Sequence, residues 1–143
     1  IGRLQLKKLD VWIAKRRENA AVLTQTFQTI PALRVTLPPQ HIGHAYYKYY
    51  AFVEPSLLQA DWNRDRIIAE LSQRGVHCFS GSCSEIYLEK AFETLPSKPK
   101  GRLPVAKELG ETSLMFLVHP TLELGYMQEV AATVRDIFLQ ASR

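Results

Sequence analysis

Apolar and polar positions repeat with two different periods along this chain, and each change of period marks a boundary. From Ile1 to about Phe27, Leu6, Leu9, Ile13, Ala20, Leu23 and Phe27 recur at helical spacing, with Trp12 beside the stripe and no Gly or Pro after Gly2. That pattern predicts one long helix, which at about 1.5 Å per residue would span roughly 35–40 Å. Such a length suggests a chain cut from something longer, with one end of the helix packing on a neighbouring domain. Pro31 ends the segment, and the period then drops to two. Leu33, Val35 and Leu37 alternate with Arg34 and Thr36, as a half-buried strand requires. His44 to Val53, HAYYKYYAFV, is the strongest strand signal. Its alternation puts Ala45, Tyr47, Tyr49, Ala51 and Val53 on one face, and Tyr46, Lys48, Tyr50 and Phe52 on the other.

Helical spacing returns from Arg64 to Arg74, where Ile67, Ile68 and Leu71 share a face, Asn63 or Asp61 can cap the start and Gly75 can stop the end. Val76, Cys78 and Phe79 read as a short strand. Ser80 to Ser84 is small and polar, and Glu85 to Phe92 carries enough apolar residues for two helical turns. Glu93 to Leu103 is a polar loop holding Pro96, Pro99 and Gly101. Pro104 suits the first position of a helix to about Leu109, with Gly110 ending it. Leu114 to Val118 reads as a strand and Met127 to about Gln140 as a closing helix. These elements predict an α/β fold of two layers, a small mixed or antiparallel sheet with helices mainly on one face, in a single domain over residues 1–143.

Charge sharpens the picture only at the start. The net charge is +4, and Ile1 to Phe27, with six basic and two acidic residues, carries all of it. One basic helix face reads as a solvated surface, since nucleic-acid binding also wants aromatic or clustered basic residues on a shared surface. No apolar run is long enough to span a bilayer. Cys78 and Cys83 fit two free thiols in a reducing cytoplasm. His41, His44, His77 and His119 match no metal-ligand spacing, and no nucleophile elbow or phosphate-binding loop is present.

The strand, polar loop and helix from Gly75 to Phe92 form the candidate site. Backbone N–H groups at the start of that helix can receive an anion or a sugar hydroxyl. Equally, Ser82-x-x-Glu85 is a capping box that satisfies the same groups internally. Lys48, set among aromatics, is either a lysine reaching out from a sheet face or a charge presented to a phosphate or carboxylate.

Four segments, IGRLQLKKLDVWIAKRRENA, HAYYKYYAFV, RDRIIAELSQRGVHCFSGSCSEIYLEKAF and LPVAKELGETSLMFLVHPTL, together resemble the C-terminal part of the DegT/DnrJ/StrS-type sugar aminotransferases. The resemblance covers the chain in order. It implies the small domain of a fold type I pyridoxal-phosphate enzyme, with residues 1–27 as connector helix. The implied reaction moves an amino group, usually from glutamate, to a nucleotide-linked keto sugar, in a homodimer with sites at the subunit interface. The family's cofactor-anchoring lysine lies in the other, larger domain. No lysine here is therefore expected to be catalytic, no cofactor is expected on this chain alone, and the chain alone is expected to be inactive. Many relatives carry a His-containing loop where this chain has Ser80 to Glu85, and that loop approaches the substrate. The resemblance thus points to Ser80, Gly81, Ser82, Ser84, Glu85, Tyr87, Tyr47 and Lys48 as substrate-binding residues. The competing expectation is a non-catalytic binding or dimerisation module on the same scaffold.

Overall fold

The computed structural model describes residues 1–94 and 98–143; Pro96 of the expected polar loop lies outside them. The elements run α1 (Gly2–Leu6), α2 (Leu9–Phe27), β1 (Leu33–Val35), β2 (Tyr49–Val53), α3 (Arg64–Gln73), β3 (Cys78–Phe79), α4 (Pro104–Thr112), β4 (Ser113–Phe116) and α5 (Leu124–Ala141). The four strands form one wholly antiparallel sheet in the order β1-β2-β4-β3. This is the α/β architecture expected from the sequence.

Register fixes which residues meet. Arg34 pairs with Phe52, Tyr50 with Met115, Ala51 with Leu114 and Cys78 with Phe116. Successive side chains leave a strand on opposite faces. Tyr49, Ala51, Val53, Leu114 and Phe116 therefore point together, and all are buried. Leu23 and Phe27 of α2, Ile67 and Leu71 of α3, and Met127, Val134, Ile137 and Phe138 of α5 close over that face to make the core. Phe27 sits at its centre, edge-on to Tyr49 at 5.8 Å and tilted against Phe116 at 5.1 Å. Arg34, Phe52, Tyr50 and Ser113 face the other way, toward α4 and the serine loop.

Local signals decide α3. The Asn63 side chain accepts from the Arg66 N–H at 2.9 Å, and Gly75 turns the chain at φ +77°. Elsewhere tertiary partners override local pattern. The expected single helix over residues 1–27 is broken at Lys7–Lys8, and Leu6 and Leu9 are 68% and 41% exposed. Among the described residues their apolar stripe has no covering partner, and full burial begins only at Asn19. The Asn19 amide is buried and donates to the carbonyls of His119 and Leu122, tying α2 to the approach of α5.

The expected strand from His44 shortens to Tyr49–Val53. Tyr46 is left-handed at φ +46°, and its N–H donates to His44 Nδ1 instead of to a ladder. Strand β1 stops at Val35, two residues early. Helix α4 runs through Gly110 to Thr112, because the chain passes directly from α4 into β4 without a loop for Gly110 to start.

Candidate functional site

The outward face of the sheet is the floor of a cleft of about 770 Å³. Tyr50 and Phe52 supply aromatic surface, the segment from Leu37 to Ile42 forms one wall, Tyr46 to Lys48 a second, and Ser82 with Leu109 of α4 a third. No aspartate or glutamate lines it among the described residues. Arg34 reaches in from β1, its guanidinium 4.6 Å from the centre of the Phe52 ring. That cation is already matched, by Glu54 at 3.2 Å and Glu108 at 3.6 Å.

Left-handed Tyr46 organises the second wall. Its ring stacks on Tyr49 at 6.2 Å, and the resulting turn throws Tyr47 outward, 73% exposed. Lys48 Nζ and the Arg16 guanidinium then stand 5.9 and 5.4 Å from the centre of the Tyr47 ring. Among the described residues neither cation has a carboxylate partner. Beneath, Tyr49 shares a 2.9 Å hydrogen bond with Thr24, and burial pushes its hydroxyl up to about 12 despite that bond.

A second, shallower cleft of about 380 Å³ adjoins the first. Its lining includes Ser80, Gly81, Ser82, Ser84, Glu85 and Arg102. Three successive ties staple the serine loop here. Ser113 Oγ donates to the Ser80 carbonyl at 2.5 Å. Gly81, at φ +88°, lies so close to Tyr50 that an added Cβ would stand 2.5 Å from the ring. The hydroxyls of Ser82 and Tyr50 are 3.1 Å apart. Ser84 then rests against Gly110 of α4, where any Cβ would collide with its hydroxyl.

Glu85 was expected to open a helix with Ser82 as its cap. Neither the helix nor the capping box forms. Ile86–Leu88 and Lys90–Phe92 are single 3₁₀ turns, separated by extended Glu89. The physical reason is competition for the two side chains: Ser82 is held by Tyr50, and Arg102 grips both Glu85 oxygens while the Tyr87 hydroxyl donates to one of them at 2.8 Å. Arg102 also reaches Glu111 at 3.0 Å. The Glu85 side chain is only 11% exposed, and its hydrogen bonds from Arg102 hold the carboxyl at about 2. The same pairing raises Arg102 still further above its usual range. Without an α-helix start, the aligned N–H groups expected there do not form.

Of the eight expected residues, Tyr47, Lys48 and Ser82 line the larger cleft, and Ser80, Gly81, Ser82, Ser84 and Glu85 the smaller. Tyr87 lines neither. It braces the clamp from behind, bonded to Glu85 and accepting from the Leu103 N–H at 2.8 Å. Sequence reasoning missed Tyr50, Phe52 and Arg34. Their signal was there: strand alternation set Tyr50 and Phe52 opposite the apolar Tyr49, Ala51 and Val53.

Cys78 is buried, which pushes its thiol up to about 12, whereas Cys83 is exposed and its thiol is raised by a hydrogen bond to Glu89. Among the described residues no three groups are placed to hold a metal ion, and no helix is long and apolar enough to cross a membrane.

A model of the DegT/DnrJ/EryC1/StrS aminotransferase family matches residues 1–135. The chain is 26% identical over 137 residues to the dTDP-4-dehydro-2,3,6-trideoxy-D-glucose 4-aminotransferase of Saccharopolyspora spinosa, covering 92% of this chain and 31% of that protein. Its fold matches the crystal structure of an aminotransferase from Psychrobacter cryohalolentis at 44% identity and a TM-score of 0.87, over 97% of this chain and 37% of that one. The aminotransferase TlmJ from Streptoalloteichus hindustanus matches at 28% identity and a TM-score of 0.78, over 97% and 35%. The chain thus spans about a third of the length of these relatives.

Proposed function

The chain belongs to the DegT/DnrJ/EryC1/StrS aminotransferase family, and on that premise we propose that it is the small, C-terminal domain of a sugar aminotransferase. In this reading it forms the substrate-side wall of a composite site. Residues 1–27 connect it to the domain that anchors the cofactor, and two copies pair in the working enzyme. The substrate is a nucleotide-linked keto sugar and the amino donor is glutamate.

The observation that carries this reading is the aromatic cleft on the outward sheet face. Tyr50 and Phe52 offer flat apolar surface to a sugar ring or base. Lys48, which lines the cleft without a carboxylate partner among the described residues, offers positive charge to a phosphate, and Arg16 lies against the Tyr47 ring beside it. The serine loop offers hydroxyls and backbone groups.

Pyridoxal phosphate, which enzymes of this family use, supplies an electron sink for moving the amino group when bound. The cleft does not fit the whole cofactor. Among the described residues Lys48 is the one lysine lining it, and no carboxylate lines it to pair with the pyridine nitrogen. The residues that hold the cofactor are then others than these, and this chain's part is to bind and orient the substrate and exclude water.

The test is to incubate the protein with pyridoxal phosphate, reduce with borohydride and map the labelled lysines. Scattered, substoichiometric labelling is expected. One stoichiometric adduct at Lys48 would contradict the proposal.

A further inference from the structure

Ser82 is the residue that the two clefts share, and the Tyr50–Ser82 hydroxyl pair stands at the boundary between them. We propose that this pair is a specificity element, one that reads a hydroxyl group on the ring of a bound sugar. The inference rests on the reading of the cleft as a sugar-nucleotide site.

Three observations support it. First, the pair is fixed in place. The Tyr50 ring lies against the backbone of Gly81, and the loop is anchored through the Ser80 carbonyl to Ser113. Second, the pair keeps unused capacity. Two hydroxyls bonded to each other spend one donor and one acceptor, leaving one O–H to give and lone pairs to receive. A ligand hydroxyl can both accept from and donate to such a pair. Third, one charged group from each cleft is matched internally. Arg34 is held by Glu54 and Glu108, and Glu85 by Arg102. The pair itself carries no charge, and its neutral hydrogen bonds suit a hydroxyl rather than a carboxylate or phosphate. A sugar seated on Tyr50 and Phe52 would turn one ring hydroxyl toward Ser82.

The pair is exposed, so a ligand lacking that group leaves the spare O–H to water. Discrimination should therefore be modest, about two- to tenfold, the range of one neutral hydrogen bond.

The experiment is calorimetric titration of the protein with UDP-glucose and its 2-, 3-, 4- and 6-deoxy analogues. One analogue should bind about two- to tenfold more weakly than UDP-glucose, with the others unchanged. Ser82→Ala and Tyr50→Phe, each the loss of one oxygen from a surface-accessible side chain, should abolish that difference. Equal binding of all five ligands, or a preference that survives both substitutions, would overturn the assignment of this pair alone. No binding of UDP-glucose at millimolar concentration would overturn it together with the reading beneath it.

Discussion

Arg102 closes on both carboxylate oxygens of Glu85, seventeen residues away in sequence, while Tyr87 donates to the same carboxylate and accepts from the Leu103 N–H. Two distant strands of loop are thereby joined at the edge of the smaller cleft. The clamp explains why a stretch patterned as a helix is not one: its first carboxylate is more strongly held by a guanidinium than by its own backbone N–H groups.

The clamp should make stability depend on acid. Glu85 ionises near 2 when folded, below its ordinary value of 4.5, so the unfolded chain binds the proton first. Its contribution is complete above about pH 4.5, fades as pH falls and is gone below about 2. Denaturation midpoints of the wild type and Glu85→Gln, measured from pH 7 to pH 2, should differ at neutrality with the wild type higher. The gap should close toward pH 2.

Gly81 and Gly75 both have positive φ, but only Gly81 touches another side chain. Gly75→Ala should cost about 1–2 kcal/mol, the usual penalty of a left-handed residue. Gly81→Ala should cost more, because the new methyl collides with the Tyr50 ring. Urea denaturation checks the order. In a Tyr50→Ala background the two glycine substitutions should cost the same.

Phe27 and Leu6 were assigned to one stripe by the same periodicity, yet the structure separates them. Phe27 is wholly buried against Tyr49 and Phe116, so Phe27→Ala should destabilise by about 3–5 kcal/mol. Leu6→Ala should stay within about 0.5 kcal/mol in this chain. Denaturant titration reads both.

Cys83 is exposed and Cys78 is buried with its thiol pushed up to about 12. Iodoacetamide at pH 8 should label Cys83 alone in the folded protein and both thiols in urea, as mass spectrometry of the peptides will show.

The contrast among these residues shows what sequence can reveal. Asn63 and Gly75 are local signals, completed within a few residues of chain, and the structure uses both as read. Buried faces of β2 and α5 follow from period alone. Tyr46 could not be read this way, because its left-handed turn depends on stacking over Tyr49 and on the His44 ring. Ser82 and Glu85 form a recognisable motif whose partners turned out to be Tyr50 and Arg102, both far along the chain. The serine loop was legible as polar and unburied, but the floor opposite it was not singled out. Tyr50 and Phe52 looked like ordinary strand aromatics until the register placed them outside the core.

The central claim is that the outward sheet face, with the serine loop above it, binds a nucleotide-linked sugar. The most direct measurement is an amide chemical-shift map of the ¹⁵N-labelled protein titrated with UDP-glucose. The largest changes are expected at Tyr46 to Phe52 and Ser80 to Ser84, weakened together by Lys48→Ala. Changes confined to the helical face around α2 and α5, or none at millimolar ligand, would contradict it.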